Sequence, residues 1–207
     1  MNGIENFQYG KSNLFKYRGV RCGQVFGVHE KFTREFLSLF DRIIELGTHR
    51  GGFSYYLRDH CEGEIYSYDI KCHLSSFGTS VACQNEASIN FVVKDIFHPE
   101  TQKEIISLLQ TEGRVLLLCD GGQKERELEI FSEYLKPNDV VMLHDYEHNA
   151  EQMAALRNKI NWHFESESFR SRIDNIIRQH DLHEFKYQSF CDVLWGSFIK
   201  GCGNGKI

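Results

Sequence analysis

Polar residues capable of chemistry follow several apolar runs of the sequence. Residues 42–46 form the first run, which contains Glu45 and leads into a turn with Gly47, Thr48 and Gly51. Glycines permit positive φ angles and close approach of a ligand to the backbone. A helix that starts after such a turn points its free N–H groups toward the same place. The pattern predicts that these four residues bind a nucleoside-bearing cofactor.

The spacing of this turn separates two classes of cofactor. It is Glu-x-Gly-x-x-x-Gly, whereas dinucleotide-binding turns have Gly-x-Gly-x-x-Gly, whose second glycine makes room for a pyrophosphate. The difference favours S-adenosylmethionine over NAD. His49 and Arg50 lie inside the turn, where Arg50 either pairs with a cofactor carboxylate or points to solvent.

Carboxylates also follow the next two apolar runs. Asp69 ends residues 64–69, and Asp95 follows residues 89–93. In an open α/β sheet, ligands bind outside the carboxyl ends of the strands. Asp69 is therefore predicted to accept hydrogen bonds from both hydroxyls of a ribose, and Asp95 to bind an adenine amino group. The alternative for each is a residue that caps a helix or forms a turn.

The fourth and fifth runs end in acidic residues as well. Asp120 follows residues 114–119, and His144 and Asp145 follow residues 139–143. Neighbouring strands lie about 4.8 Å apart, so both carboxylates can converge on one hard cation such as Mg²⁺. Alternatively, Asp120 starts a turn, Asp145 caps a helix and His144 is a partly buried polar residue. The spacing leaves both interpretations open.

These residues require a scaffold in which strands and helices alternate. Strands are predicted at residues 42–46, 64–69, 89–93, 114–119 and 139–143, with helices near 53–60, 74–84, 99–110 and 123–135. The alternation predicts an α/β fold with a Rossmann-like, doubly wound and mostly parallel sheet.

The two ends of the chain have different patterns. Residues 1–28 have weak periodicity and are predicted to form an N-terminal arm that packs across the domain or over its site. Residues 29–207 are predicted to form a single domain. It starts with a helix over residues 29–40 and continues after the last parallel strand with a helix at about 148–160 and a partly helical segment at 161–180. Two β-rich runs, 183–188 and 193–200, could pair as an antiparallel hairpin at the sheet edge.

Composition limits the class of protein. The 207 residues suffice for one α/β domain, and a formal net charge of −5 with a pI near 6.1 argues against nucleic acid as a partner. Seven cysteines without a Cys-x-x-Cys pair suit free thiols in a reducing compartment. The start of the chain does not have the pattern of a signal peptide, and no run approaches the roughly 20 apolar residues of a membrane span. The protein is predicted to be cytoplasmic, without a membrane partner.

The order of these motifs resembles that of class I S-adenosylmethionine-dependent methyltransferases. More narrowly, it is similar to the branch that contains macrolide-sugar O-methyltransferases and cephalosporin-hydroxylase-type proteins. The resemblance is carried by residues 43–52, Tyr68-Asp69, Asp120-Gly121 and residues 135–145, and it extends roughly from Gly19 to Lys200.

The resemblance implies a fold and a reaction. The fold is a seven-stranded sheet whose C-terminal strand is antiparallel. The reaction is Mg²⁺-assisted O-methylation of a hydroxyl on a small molecule or a sugar, with Asp120 and Asp145 as metal ligands. His144 stands where relatives often carry an acidic residue or His. An acceptor with a vicinal diol suits this geometry. The sequence is also compatible with a homo-oligomer.

One departure concerns the general base. Relatives commonly have Asp-x-x-His after the fourth strand, with this His proposed as the base, whereas this chain has Gln123 at that position. Glutamine does not accept a proton at neutral pH. The base is then His144 or His148, or a metal ion acidifies the acceptor hydroxyl. Two other functions stay open: a catalytically altered or inactive S-adenosylmethionine-binding relative that acts as a binding module, and an NAD-dependent oxidoreductase, against which the glycine spacing argues.

Overall fold

The computed structural model describes residues 3–10, 12–71, 88–160 and 168–202. The strands, in chain order, are β1 (Ile4–Tyr9), β2 (Ser12–Tyr17), β3 (Val20–Val25), β4 (Arg42–Leu46), β5 (Glu64–Asp69), β6 (Ile89–Val93), β7 (Val115–Cys119), β8 (Val140–His144), β9 (Tyr146–Glu147), β10 (Ser168–Phe169), β11 (Leu182–Glu184) and β12 (Trp195–Lys200). The helices are α1 (Val28–Lys31), α2 (Arg34–Leu37), α3 (Gly52–His60), α4 (Pro99–Gln110), α5 (Lys124–Phe131), α6 (Ala150–Ile160), α7 (Arg170–Gln179) and α8 (Tyr187–Phe190).

Seven strands form the central sheet, in the order β11-β12-β8-β7-β4-β5-β6. Strands β4 to β8 run parallel to one another, and β12 is antiparallel to both β8 and β11. The predicted fold class is therefore confirmed, including the antiparallel C-terminal strand. Strand order reverses at β4, because the chain first adds β5 and β6 on one side and then β7 and β8 on the other. Open α/β sheets bind ligands at such a point.

The sheet is buried on both faces because its central strands are mostly apolar. All five residues of β7 and of β8 are buried. Successive side chains of a strand point to opposite faces. Leu116 accordingly belongs to one core cluster with Phe53, and Leu117 belongs to the other with Leu128. Helices thus cover both faces, and the polar residues of the site are left to the strand ends.

The N-terminal residues form a second, smaller sheet. Strands β1, β2 and β3 pair antiparallel, where the sequence predicts an arm. The sheet is tied to α3, because Asp59 accepts hydrogen bonds from the Tyr17 hydroxyl at 2.5 Å and the Arg18 guanidinium at 2.7 Å. A Cβ atom at Gly52 would lie 2.5 Å from the carbonyl oxygens of Val20 and Arg21. The first residue of α3 must therefore be small for this sheet to dock.

The predicted single helix over residues 29–40 is wrong. The chain instead forms two one-turn helices, α1 and α2, with Phe32 and Thr33 between them. Thr33 has extended backbone angles, and its side chain accepts a hydrogen bond from the backbone N–H of Phe36 at 3.2 Å. A threonine that caps a new helix in this way competes with continuation of the previous one.

Most of the remaining predicted elements agree with the structure where it describes them. The β-rich run predicted at 183–188 is only partly correct, because β11 ends at Glu184 and α8 begins at Tyr187. The hairpin is present as β11 and β12, although α8 and a 3-10 turn (Cys191–Val193) lie between its strands. The predicted helix at 74–84 and residues 161–167 of the partly helical segment lie outside the described residues. Among the helices that the structure does describe, none is both long enough and apolar enough to cross a bilayer.

Candidate active site

Four parallel strands end at one rim of the sheet. Their register aligns Leu46 with Tyr68 and with Cys119, and it aligns Cys119 with Leu143. Because the strands are parallel, the polar residues that follow them emerge side by side. The carboxylates selected from the sequence therefore lie at a common edge, next to the point where strand order reverses.

The glycine turn after β4 requires glycine at its first position. Gly47 has φ 108°, and a Cβ atom there would lie only 2.4 Å from the carbonyl oxygen of Asp120. Any side chain would separate the ends of β4 and β7. Gly51, with φ 80°, is the residue before α3 and completes the turn. The turn thus brings the backbone of two strands into contact beneath a cavity.

A cavity of about 400 Å³ lies at this rim of the sheet, and we call it the strand-rim cavity. It is lined by residues at or after the ends of β4, β5, β6 and β7, and by one residue of α5. They are Gly47, His49, Tyr68, Asp69, Ile70, Lys94, Asp95, Ile96, Phe97, Asp120, Gly121, Gly122, Gln123 and Glu127. Asp69 accepts hydrogen bonds from the backbone N–H groups of His49 at 2.8 Å and Lys71 at 3.0 Å. These two bonds fix the carboxylate and still leave it lone pairs for a ligand.

Asp95 lines the strand-rim cavity and also stabilises a turn. Its side chain accepts a hydrogen bond from the backbone N–H of Phe97 at 2.9 Å. Ile70, 63% exposed, lies in the same cavity. An apolar side chain exposed beside a carboxylate offers a surface for a planar ring, so the place predicted for an adenine has suitable chemistry.

Glu45 and Thr48 lie under the turn and do not line the strand-rim cavity. Glu45 is fully buried and accepts hydrogen bonds from Ser54 at 2.5 Å and from Ser67, while the Thr48 hydroxyl lies 2.6 Å from that of Ser67. Burial raises the pKa of Glu45 to about 7, against the opposing effect of its serine partners. The structure places these two predicted cofactor ligands as supports of the turn.

A second cavity lies between the rim and the small sheet, and we call it the N-terminal-sheet cavity. Its volume is about 350 Å³. Its lining comprises Phe7, Tyr9, Leu14, Arg21, Cys22, Gly23, Gly47, His49, Arg50, Asp120, His144 and Asp145. The guanidinium of Arg21 lies over the rings of Phe7 and Tyr9, at 5.2 and 5.4 Å from their centroids. The two cavities share Gly47, His49 and Asp120, so they are separated by a wall only a few residues wide.

Asp120, His144 and Asp145 converge, as the sequence predicts. Nδ1 of His144 lies 2.8 Å from Oδ1 of Asp120 and 3.5 Å from Oδ2 of Asp145. The imidazole packs against Trp195, with ring centroids 4.8 Å apart. Burial lowers the pKa of His144, but the two carboxylates raise it by more, so the net shift is upward. The three residues form a buried, hydrogen-bonded charge cluster.

Two further residues of this cluster were not selected from the sequence. The ammonium of Lys124 lies 3.1 Å from Oδ2 of Asp145, and the amide nitrogen of Gln24 lies 2.5 Å from Oδ2 of Asp120. Gln24 is held in turn by the indole N–H of Trp195 at 3.1 Å. The sequence contained an indication for Lys124, because a lysine at the start of a helix opposes the helix dipole and needs a compensating anion. Gln24 had no such signal, because its partner is 96 residues away.

The magnesium prediction is not confirmed. Within the ranges that the structure describes, no group of three or more His, Cys, Asp or Glu side chains could hold a metal ion. Both oxygens of Asp120 and Oδ2 of Asp145 meet nitrogen donors from His144, Gln24 and Lys124. A cation coordinated by carboxylates needs these lone pairs for itself. The donor set, as arranged, does not fit a divalent metal.

His148 does not join the cluster, which corrects one of the candidate bases. The chain turns at Asp145, whose φ is 54°, and then forms β9, which carries His148 away from both cavities. The His148 ring stacks on Tyr187 with centroids 4.2 Å apart, and its Nε2 lies 3.0 Å from a carboxylate oxygen of Glu184.

Gln123 lines the strand-rim cavity, and its side-chain oxygen lies 3.3 Å from a guanidinium nitrogen of Arg126.

A Rossmann-like sheet with an antiparallel last strand and a glycine turn at its switch point is consistent with a class I methyltransferase fold, and comparison with known proteins agrees. The FtsJ-like methyltransferase family model matches residues 26–175, so the chain belongs to the FtsJ-like methyltransferase family. The predicted resemblance to S-adenosylmethionine-dependent methyltransferases is thereby confirmed. A similar curated protein is phosphoethanolamine N-methyltransferase 3 of Arabidopsis thaliana, 24% identical over 149 residues. That match takes in 69% of this chain but only 30% of the relative.

Solved structures support the fold alone, because their sequence identities are low. The CmcI-N160 apo-structure is 12% identical, with a TM-score of 0.62 over 90% of this chain and 76% of the other. The cmcI-N160 SAH structure is 11% identical, with a TM-score of 0.57 over 94% and 85% of the two chains. An O-methyltransferase family protein from Burkholderia thailandensis is 9% identical, with a TM-score of 0.51 over 80% and 52%.

Proposed function

We propose that this protein transfers the methyl group of S-adenosylmethionine to a hydroxyl of a small molecule or a sugar. The observation that carries the proposal is the shared wall of the two cavities at Gly47, His49 and Asp120. A methyl donor in one cavity and an acceptor in the other would meet across that wall. Such an arrangement supplies proximity and orientation, which are large contributions to catalysis.

The strand-rim cavity has suitable chemistry for the cofactor. The fixed carboxylate of Asp69 can accept hydrogen bonds from ribose hydroxyls, and Asp95 and Ile70 suit the amino group and the face of an adenine. The wall beside Gly47 is backbone, so a sulfonium could approach closely there. When bound, S-adenosylmethionine supplies an activated methyl group, and the C–S electron pair stays on sulfur as S-adenosylhomocysteine leaves.

The N-terminal-sheet cavity suits the acceptor. A volume of about 350 Å³ fits a small molecule or one sugar unit. Phe7, Tyr9 and Leu14 offer apolar surface, while His144 and Asp120 offer polar groups at the inner wall. Aromatic and apolar sides with a few convergent polar groups are typical of small-molecule sites.

His144 is the proposed general base. When the ring is neutral, with Nδ1–H donated to Asp120, its lone pair is on Nε2. This atom is buried, so the acceptor must reach it through the wall of the cavity before it takes the hydroxyl proton as the oxygen bonds to the methyl carbon. Asp120 fixes the tautomer and stabilises the imidazolium that forms, as a carboxylate does in a hydrolase triad. This assignment would supply a base in place of the histidine that Gln123 replaces. Magnesium has no step in the reaction, because nitrogen donors already engage both carboxylates.

Isothermal titration with S-adenosylmethionine, S-adenosylhomocysteine and NADH tests the cofactor. Binding of the two sulfur compounds only is expected. Asp69→Ala should weaken that binding by about 100-fold, because hydrogen bonds to a charged acceptor contribute about 1.5–3 kcal/mol. The matched control is Glu62→Ala, which removes an exposed carboxylate beyond α3. Failure of the wild-type protein to bind either sulfur compound would overturn the proposal.

A methyl-transfer assay tests the acceptor. Labelled S-adenosylmethionine is supplied with a panel of sugars and phenolic diols, phosphoethanolamine as a nitrogen acceptor, and RNA as a polyanion. Label on the oxygen of a small molecule supports the proposal. Transfer only to nitrogen or to RNA would contradict it. Cofactor binding without transfer to any of these would favour the binding-module alternative.

A further inference from the structure

The carboxylates of Asp120 and Asp145 already contact nitrogen donors of the protein. On Asp120, Oδ1 contacts His144 at 2.8 Å and Oδ2 contacts Gln24 at 2.5 Å. On Asp145, Oδ2 contacts Lys124 at 3.1 Å. Each carboxylate is therefore bonded to nitrogen where the resemblance to metal-dependent relatives implies a cation.

Lys124 is an unusual residue for its location. It begins α5, and its side chain is only 7% exposed. A buried ammonium is costly unless an anion compensates it. The helix start is itself unfavourable for a cation, which leaves the two carboxylates as the reason for a lysine here.

A divalent cation at the same place would conflict with this arrangement. Mg²⁺ needs oxygen ligands at about 2.0–2.1 Å in octahedral geometry, with lone pairs directed at the metal. Here both oxygens of Asp120 and Oδ2 of Asp145 are directed at nitrogen donors, and an added charge of two would lie beside an ammonium in a buried site. The electrostatic repulsion would be strong because the effective dielectric constant is low.

We propose that the ammonium of Lys124, in contact with Asp145, stands in place of a divalent cation, and that methyl transfer in this protein proceeds without a bound metal. Lys124 does not line either cavity, so it is a positioning residue: it holds Asp145, and thereby the carboxylate pair that orients His144. The part that concerns turnover rests on the proposed methyltransferase function. The part that concerns metal exclusion does not.

The experiment measures Mn²⁺ binding by electron paramagnetic resonance on the full chain. The wild-type protein, Lys124→Ala and Lys124→Met are compared, with Lys103→Ala as the control, because Lys103 is 72% exposed on α4 and distant in sequence. The wild type and the control are expected to bind no Mn²⁺ at 1:1 stoichiometry. Both Lys124 variants are expected to gain one Mn²⁺ site, and Asp145→Asn in the same chain should remove it.

Activity gives a second readout on the same samples. EDTA should leave wild-type turnover unchanged. Lys124→Ala in EDTA should lose about 10- to 100-fold in kcat, the range seen when a supporting contact is removed, and added Mg²⁺ should restore part of it. A structural role alone would not produce rescue by a metal.

Three results would overturn the inference. They are a wild-type Mn²⁺ site that Asp120→Asn removes, loss of wild-type turnover in EDTA, and folded Lys124 variants that gain no Mn²⁺. If neither Lys124 variant folds, the wild-type Mn²⁺ measurement still decides between a metal site and a lysine site. Titration with S-adenosylmethionine is run in parallel. A protein that excludes Mn²⁺ yet binds no S-adenosylmethionine would refute the proposed function and leave metal exclusion standing.

Discussion

The two cavities of this protein are built in different ways. The strand-rim cavity is formed by residues that directly follow parallel strands, and its carboxylate Asp69 is fixed by backbone N–H groups. The N-terminal-sheet cavity depends on side chains from distant parts of the chain, such as Gln24 on Asp120 and Lys124 on Asp145. The first is a property of the fold, and the second is a property of this particular sequence. Variants should therefore separate cofactor binding from acceptor chemistry.

The largest expected effect is a loss of turnover with little change in cofactor affinity. Replacement His144→Ala removes the proposed base and should lower kcat by about 100- to 10,000-fold, the usual contribution of general base catalysis. Affinity for S-adenosylmethionine should change little, because His144 does not line the strand-rim cavity. The measurement is steady-state methyl transfer beside calorimetric titration. The matched control is His183→Ala, whose side chain is 63% exposed and pairs with Asp181. An equal loss of affinity and turnover would show that the two cavities do not act separately.

A smaller effect concerns Glu45, which supports the glycine turn, and the pH dependence of protein stability. The pKa of Glu45 is about 7 in the folded protein, against 4.5 for an ordinary glutamic acid. Because the folded pKa is raised, its contribution to stability is complete below pH 4.5 and is lost as pH rises through 7. Glu45→Gln should remove that loss, so the fall in unfolding free energy between pH 5 and pH 8 shrinks by about 3 kcal/mol.

Denaturant unfolding at both pH values measures this change. Glu62→Gln, an exposed carboxyl, is the control that should leave the pH dependence as in the wild type. Glu127, whose pKa burial also raises to about 7, retains its own contribution in the variant. Identical pH dependence in Glu45→Gln and the wild type would mean that Glu45 is ionised in the folded state at neutral pH.

The smallest expected effect tests the link between the two sheets. Gln24→Ala deletes the amide that joins β3 to Asp120 and to Trp195. The loss should be about 10-fold in kcat, consistent with removal of a positioning hydrogen bond of about 1–2 kcal/mol. Cofactor affinity should stay within about threefold, equivalent to less than 1 kcal/mol. Gln8→Ala on exposed β1 is the control. A large fall in cofactor affinity would place Gln24 in support of both cavities.

The N-terminal segment illustrates where sequence patterns stop being informative. Weak periodicity in residues 1–28 predicts an arm, whereas the described part forms an antiparallel sheet that docks on α3 through Asp59. The Asp59 contacts join residues more than 40 positions apart. The same limit explains the helix break at Thr33, where a local side-chain hydrogen bond prevails over an apolar pattern of helical spacing. Division of the chain into an arm and a domain stays a prediction.

The antiparallel last strand was implied by the resemblance to known methyltransferases. The sequence by itself determined the parallel sheet and the common edge of the polar residues, because a strand's side chains alternate and parallel strands end together. Only the tertiary structure decided what each carboxylate touches. It placed Glu45 under the turn, paired His148 with Glu184 and set the Lys124 ammonium beside Asp145. The reason is that a side-chain contact depends on the direction and reach of two residues distant along the chain, which spacing does not encode.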